Sequence, residues 1–246
     1  MSSRLRGKED AYGRLIADYL ETGEGIEIVE RDDGFIQASR YGPGAYFFPF
    51  RKWPKSERRA MRLARGRVLD VGCGAGRVAL YLQERGHEVV GIDLSPLTVD
   101  VARRRGVKDA RELAVTQVSR KIGRFDTIVM FGNNFGLMGG KRRAPWLLRR
   151  FRSITNEGAR ILAESVDPYK TESRDHRAYH RRNRRRGRMG GQLRIRVRHG
   201  HYTTPWFDYL LASPAEMAKL AQGTGWELAE VIDEGEHVYV GVLERM

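Results

Sequence analysis

Ten residues, Val68-Leu69-Asp70-Val71-Gly72-Cys73-Gly74-Ala75-Gly76-Arg77, carry the clearest chemistry in this sequence of 246 residues. β-Favouring residues lead into Asp70, glycine follows at 72, 74 and 76, and a helix-like run begins at Arg77. Glycine has no Cβ, so it accepts positive φ and lets the backbone press against a ligand. A strand that turns through glycines into a helix leaves N–H groups unsatisfied at the helix start, where a polar group can bind. A second acid, Asp93, stands 23 positions beyond Asp70 and closes the next strand-like run. Carboxylates at that place accept hydrogen bonds from ribose hydroxyls.

Two ligand classes use such a turn. The dinucleotide fingerprint Gly-x-Gly-x-x-Gly needs a third glycine for close helix–strand packing, and Arg77 occupies that position. Asp70 before the loop would repel a pyrophosphate and attract an ammonium group. The residues therefore favour a ligand with a ribose and an ammonium and without a pyrophosphate. A dehydrogenase-like fold, or a non-catalytic relic, is the alternative.

From Val68 to Ser165 the chain resembles the class I S-adenosylmethionine-dependent methyltransferases. Leu69–Gly76 is similar to their first motif and Gly91-Ile92-Asp93-Leu94-Ser95-Pro96 to their second. Phe125–Met130 looks like their fourth strand, and Asn133-Asn134-Phe135-Gly136 stands where active-site residues commonly lie. The resemblance implies S-adenosylmethionine as cofactor, held by Asp70, Gly72, Cys73, Gly74, Gly76, Asp93, Leu94, Ser95, Phe131 and Asn133. The third motif departs from the pattern. Asp109 comes early in its strand, so Glu112 and Leu113 are placed at the adenine, while Asp109 and Arg111 also read as solvated strand residues. The implied fold is α/β, a Rossmann-like, mostly parallel seven-stranded sheet flanked by helices. Residues 1–66 read as an N-terminal extension capping the core. Residues 67–246 read as the methyltransferase domain, with an antiparallel basic insertion at about 168–211 after the fifth strand.

The elements that must position these residues follow from periodicity. Tyr12, Leu15, Ile16 and Tyr19 recur at helical spacing. Residues 26–30 and 35–39 flank an Asp-Gly hairpin turn. An aromatic segment, Tyr41–Phe50 and Trp53, reads as a satellite core or as a lid, and Ser56 as the cap of a short helix. Strands are expected at 68–71, 88–93, 107–113, 125–131 and 159–165. Helices are expected at 77–85, after Ser95-Pro96, and along Trp146–Ile154 to Asn156-Glu157-Gly158. This βα alternation with apolar strands implies a parallel sheet covered on both faces. Leu193–Arg198 alternates as a half-exposed strand to which 202–211 returns antiparallel. Ser213-Pro214-Ala215-Glu216 opens a helix with a capping box, and 226–232 with 237–243 make a last strand pair.

Methyl transfer from a sulfonium is an in-line displacement, so alignment and a water-excluding cover carry much of the rate. Tyr46–Phe50 and Tyr202–Phe207 are candidate covers. Tyr179, His180, His201, Asp208 and Asn133 are candidate catalytic groups, none of them fixed by a motif. Tyr46, Asn134, Arg194, Arg196 and Trp206 are candidates for acceptor binding. Cys73 reads as a small loop residue rather than a nucleophile. His176, His180, His199 and His201 lack cysteine partners, and no metal is expected.

Charge narrows the acceptor. The net charge is +14, and eleven arginines with a single acid, Asp175, lie between Arg174 and Arg198. Arginines leaving the ligand end of the sheet could hold a carboxylate or phosphate, which points to a small, anionic acceptor. The alternative is an RNA methyltransferase whose insertion tracks the backbone of tRNA or rRNA. A third reading is a nucleic-acid binder on a relic fold, and a solvated arm is the plainest. No apolar run reaches the ~20 residues of a membrane span, and Met1–Arg6 lacks the apolar core of a signal peptide. With one cysteine no intrachain disulfide can form, so a cytoplasmic location is expected. The oligomeric state is left open.

Overall fold

The computed structural model describes residue 5, residues 7–39 and residues 42–246. Apart from Leu5, the opening hexapeptide lies outside these residues, as does Tyr41 of the aromatic segment.

Helix α1 (Ala11–Thr22) is capped by Asp10, whose carboxylate accepts the Gly13 N–H at 3.0 Å, and Gly23 ends it in the left-handed conformation. Strands β1 (Glu27–Arg31) and β2 (Ile36–Ser39) form the Asp33-Gly34 hairpin in the register Glu27↔Ser39. A single turn, α2 (Gly42–Ala45), precedes α3 (Lys55–Met61). Ser56 was expected to cap α3, but Pro54 holds that position and Ser56 is buried inside the helix. There follow β3 (Val68–Val71), α4 (Arg77–Gln83), β4 (Val89–Asp93), α5 (Pro96–Arg104), β5 (Ala110–Glu112), β6 (Phe125–Met130), α6 (Arg143–Ser153) and β7 (Thr155–Val166). The C-terminal part contains α7 (Arg174–Arg185), β8 (Gln192–His199), β9 (Tyr202–Thr203), β10 (Phe207–Leu210), α8 (Pro214–Ala221), β11 (Trp226–Asp233) and β12 (Val238–Arg245). Ser95 and Ser213 cap α5 and α8 with Pro in the first turn, and Ser213 with Glu216 completes a capping box.

The α/β sheet has seven strands in the order β11-β12-β7-β6-β3-β4-β5. It is mostly parallel: β4 with β5 and β6 with β7 are parallel pairs, while β12 runs antiparallel to both β7 and β11. Strand β7 starts at Thr155, four residues before the expected Ala159. Phe125 pairs with Thr155 and Thr127 with Arg160, so a bulge absorbs Asn156-Glu157-Gly158, which had read as the end of a helix. A smaller sheet has the order β10-β8-β1-β2, with β9 on β8.

The chain divides into two compact units. The first comprises Met1–Trp53, Leu69–Gln117 and Arg194–Phe207; the second Pro54–Val68, Val118–Leu193 and Asp208–Met246. In the first unit β8 pairs with the N-terminal strand β1 (Val29↔Val197, Glu30↔Arg196), a long-range partner that its sequence does not announce. Ile16, Ala75 and Val101 form a buried cluster joined by Tyr12, Tyr46 and Phe47, while Phe50 stacks on Tyr81 with ring centres 4.0 Å apart. Of the aromatic segment, Trp53 is buried, Tyr46, Phe47 and Phe50 are half-buried, and Phe48 is exposed. In the second unit the arginine block contains a helix that was not expected. Ser173 caps α7, and Tyr179, His180 and Asn183 are its buried face. Asn183 Nδ2 donates to the Gly190 and Gln192 carbonyls at 3.0 and 2.8 Å, tying α7 to the start of β8.

Candidate active site

The glycine loop of the first unit is stitched to the neighbouring strand. Gly72 and Cys73 N–H groups both donate to the Ile92 carbonyl, at 2.8 and 3.0 Å. Gly72, Gly74 and Gly76 all have positive φ, which costs glycine little. A Cβ on Gly76 would lie 2.5 Å from Val107 Cγ2, so this glycine lets the loop close against the chain that follows α5. A Cβ on Gly74 would meet nothing closer than the Tyr12 hydroxyl at 3.7 Å, so the loop surface there is open. Cys73 packs on Gly91, and burial, reinforced by Asp93 and Asp70, pushes its thiol well above the usual range. A protonated, buried thiol is no nucleophile.

Asp93 organises this end of the sheet. Its Oδ2 accepts the Gly74 N–H at 3.2 Å and its Oδ1 the Ser95 N–H at 3.0 Å, while its carbonyl accepts the Leu113 N–H at 2.8 Å. Burial pushes its pKa up to about 6, against the two backbone bonds, which act to lower it. Glu112 lies directly beside Asp93 on β5 and is exposed. Leu94 is half-buried, and Asp70 is buried at the end of β3. Asp109, the residue before β5, pairs with Arg111 at 2.7 Å, and both side chains are partly exposed.

Two groups that sequence patterns did not single out, Tyr12 and Asp10, join this loop together with Tyr46. Tyr12 was visible only as part of an apolar helical stripe, yet its hydroxyl faces Gly74. Tyr46, an expected acceptor contact, meets Tyr12 edge-to-face with centres 5.4 Å apart and donates its O–H to Glu27 Oε1 at 3.1 Å. Asp10 accepts the Ser95 hydroxyl and thereby fixes the start of α1.

In the second unit Phe131 is buried and Asn133 has a left-handed backbone, φ 62. Buried Glu164 holds that bend by accepting the Gly132 and Asn133 N–H groups at 3.2 and 3.0 Å, and the Tyr209 hydroxyl donates to the Asn133 carbonyl at 2.6 Å. Asn133 Oδ1 is buried with no hydrogen-bond partner among the described residues, which suits a ligand donor. Asn134 is half-buried beside it. Tyr179 and His180 are buried on α7, His180 edge-on to Tyr169 with ring centres 5.7 Å apart. Asp208 is engaged by Arg188 at 2.9 Å.

The basic strand β8 is largely answered within the first unit. Arg196 makes two bonds to Glu30, at 2.9 and 3.0 Å, and lies over Trp206 at 4.6 Å. Arg198 reaches the same carboxylate at 3.4 Å. Arg194 is half-buried, its carbonyl accepting the Asp32 N–H at 2.9 Å, and His201 is exposed in the turn after β8.

The methyltransferase-domain family matches residues 68–158, the span that contains the glycine loop, Asp93 and Asn133. An S-adenosylmethionine-dependent methyltransferase from Bacteroides fragilis, solved in complex with S-adenosyl-L-homocysteine, shares 30% identity over 99% of this chain and 98% of its own, with a TM-score of 0.83. The chain belongs to the S-adenosylmethionine-dependent methyltransferases. S-Adenosylmethionine is accordingly its cofactor class, and within the first unit the open glycine loop and Asp93 have the chemistry to fit it. Curated relatives match over shorter spans. The putative methyltransferase YqeM of Bacillus subtilis is 34% identical over 43% of each chain. The 2-heptyl-1-hydroxyquinolin-4(1H)-one methyltransferase of Mycobacteroides abscessus is 37% identical over 29% of this methyltransferase and 30% of its own length. The chain thus spans less than half the length of these two curated relatives. No helix among the described residues is long and apolar enough to cross a membrane.

Proposed function

We propose that this methyltransferase moves the methyl group of S-adenosylmethionine onto a small-molecule acceptor. The carrying observation is Asp93, whose carboxylate is bonded to the Gly74 and Ser95 N–H groups beside Glu112. In this reading Asp93 receives the ribose hydroxyls on the lone pairs those bonds leave, and Glu112 and Leu113 flank the adenine. Asp70 receives the ammonium, while Gly72, Cys73, Gly74 and Gly76 bring the backbone close to the amino-acid end. Leu94 and Ser95 complete the set. When bound, the cofactor supplies an electrophilic methyl on a positively charged sulfur. The chain's contribution is to align donor and acceptor and exclude water, for which effective concentration alone supplies much of the acceleration.

The Mycobacteroides abscessus relative, named for a hydroxyquinolone, supports a small acceptor. An anionic acceptor at Arg196 would compete with Glu30 for that guanidinium. Arg188, Arg196 and Arg198 are matched by Asp208 and Glu30, which removes three arginines from the basic surface that the RNA alternative requires. Calorimetric titration of the folded protein with S-adenosylmethionine and S-adenosylhomocysteine tests the reading. Both should bind, and Asp93→Ala should cost about 1–3 kcal/mol of that affinity. Absence of heat with either ligand overturns it.

A further inference from the structure

Tyr12, Tyr46 and Glu27 come from α1, the segment after α2, and β1, yet they converge beside the glycine loop. The Tyr12 hydroxyl is the closest group to the open side of Gly74, 3.7 Å from where a Cβ would stand. Tyr12 is hydrogen-bonded to Tyr46, and Tyr46 donates to Glu27 Oε1 at 3.1 Å. The other carboxylate oxygen, Oε2, packs so tightly on Gly42 that a Cβ there would come within 2.3 Å. Glu27 is thus held between the Gly42 backbone and a tyrosine that leads back to the loop. A hydrophobic stripe accounts for the rings of Tyr12 and Tyr46. It does not account for a half-buried carboxylate placed at the end of two hydroxyls.

We propose, on the methyltransferase reading above, that Glu27 is the proton acceptor of the reaction, reached from the glycine loop through the hydroxyls of Tyr12 and Tyr46, and that the methyl acceptor carries an exchangeable proton on oxygen or nitrogen. As the acceptor lone pair forms the new bond to the methyl carbon, the carbon–sulfur bond breaks and its electron pair stays on sulfur. The acceptor's O–H or N–H proton passes to Tyr12, the Tyr12 proton to Tyr46, and the Tyr46 proton to Glu27 Oε1. Each tyrosine ends as it began, protonated.

The environment suits this role. Burial raises the Glu27 carboxyl from the ordinary range, against the lowering bond from Tyr46, which brings it nearer to the operating pH of a general base. Tyr12 is pushed well above its usual value, by burial first and then by Tyr46, Glu27 and Asp93, so it conducts a proton without standing as a phenolate. Among the described residues, Tyr46, Glu27 and Asp93 are the titratable groups that act on Tyr12; across β1, Ser39 faces Glu27.

The test uses the full chain with S-adenosylmethionine and a panel of simple phenols, hydroxyquinolines and primary and secondary amines. Glu27→Gln should lower kcat/KM for the O–H and N–H acceptors by about a hundredfold, the size of a lost general base, and flatten the acid limb of the pH profile. Tyr46→Phe should do the same in smaller measure. S-Adenosylhomocysteine affinity should stay within threefold in both variants, which also reports that they fold. Glu27→Gln with an unchanged pH profile overturns the proposal. So does wild-type protein that binds S-adenosylhomocysteine yet methylates no O–H or N–H acceptor, an outcome that leaves the cofactor reading standing. Absence of S-adenosylhomocysteine binding by the wild type would instead remove the reading on which the proposal rests.

Discussion

The Ser95 hydroxyl donates to Asp10 Oδ2 at 2.8 Å across 85 positions of chain, and Asp10 Oδ1 accepts the Gly13 N–H at 3.0 Å. One buried carboxylate therefore caps α1 and fixes it to the start of α5. Ser95 in turn caps α5 through the Thr98 N–H, at 3.0 Å. The helix that presents Tyr12 and the strand end that presents Asp93 share this anchor.

Asp10→Ala removes a helix cap and leaves the Ser95 hydroxyl without its buried acceptor. Loss of a cap costs about 0.5–2 kcal/mol and a buried unsatisfied group about 1–3 kcal/mol. Urea denaturation should show a loss of about 2 kcal/mol or more. Affinity for S-adenosylhomocysteine should fall with it, because Tyr12 is no longer held at the loop.

Asp93 gives a pH dependence with a definite sign. Its folded pKa lies at about 6, raised above 3.8 chiefly by burial. A raised folded pKa favours the native state at low pH. The stabilisation is complete below the unfolded value and is lost as pH rises through about 6, up to about 3 kcal/mol for this group. Ribose hydroxyls bind the ionised form, so ligand affinity runs the other way. Binding of S-adenosylhomocysteine should weaken about tenfold between pH 7 and pH 5, and calorimetry in buffers of different ionisation enthalpy should register proton release on binding.

Arg196 and Glu30 form a two-bond pair between β8 and β1, with Glu30 only 15% exposed. A double-mutant cycle with Arg196→Gln and Glu30→Gln should give a coupling of about 1 kcal/mol, above the median for surface pairs because the fork is bidentate and half-buried. A coupling near zero would return Arg196 to the pool of arginines available to an anionic acceptor.

Cys73 should resist alkylation. Its thiol is 6% exposed and held protonated by burial and two nearby acids. Iodoacetamide at pH 8 should label it in denaturant and leave the native protein unlabelled over the same interval, as read by intact-mass spectrometry.

Local chemistry made much of the fold readable in advance. Gly72, Gly74 and Gly76 needed positive φ, Ser95-Pro96 and Ser213-Pro214 marked helix starts, and Asp33-Gly34 marked a hairpin, all within a few residues of chain. Helix α7 is hard to read from its sequence because its buried face, Tyr179, His180 and Asn183, is diluted by six arginines in the same stretch. Its spacing at positions i, i+1 and i+4, with Ser173 as cap, was the available signal.

By itself the sequence determined the βα core, the glycine loop, the acids on either side of it and, through them, the cofactor class. The tertiary structure decided how the charges and hydroxyls are used. Pairing of β8 with β1 puts Arg196 against Glu30 instead of leaving it open, and packing of α1 and the aromatic segment brings Tyr12, Tyr46 and Glu27 to Gly74. The reason is physical: caps and turns are set by neighbouring residues, whereas strand partners and buried side-chain contacts depend on loop closures that no local pattern encodes.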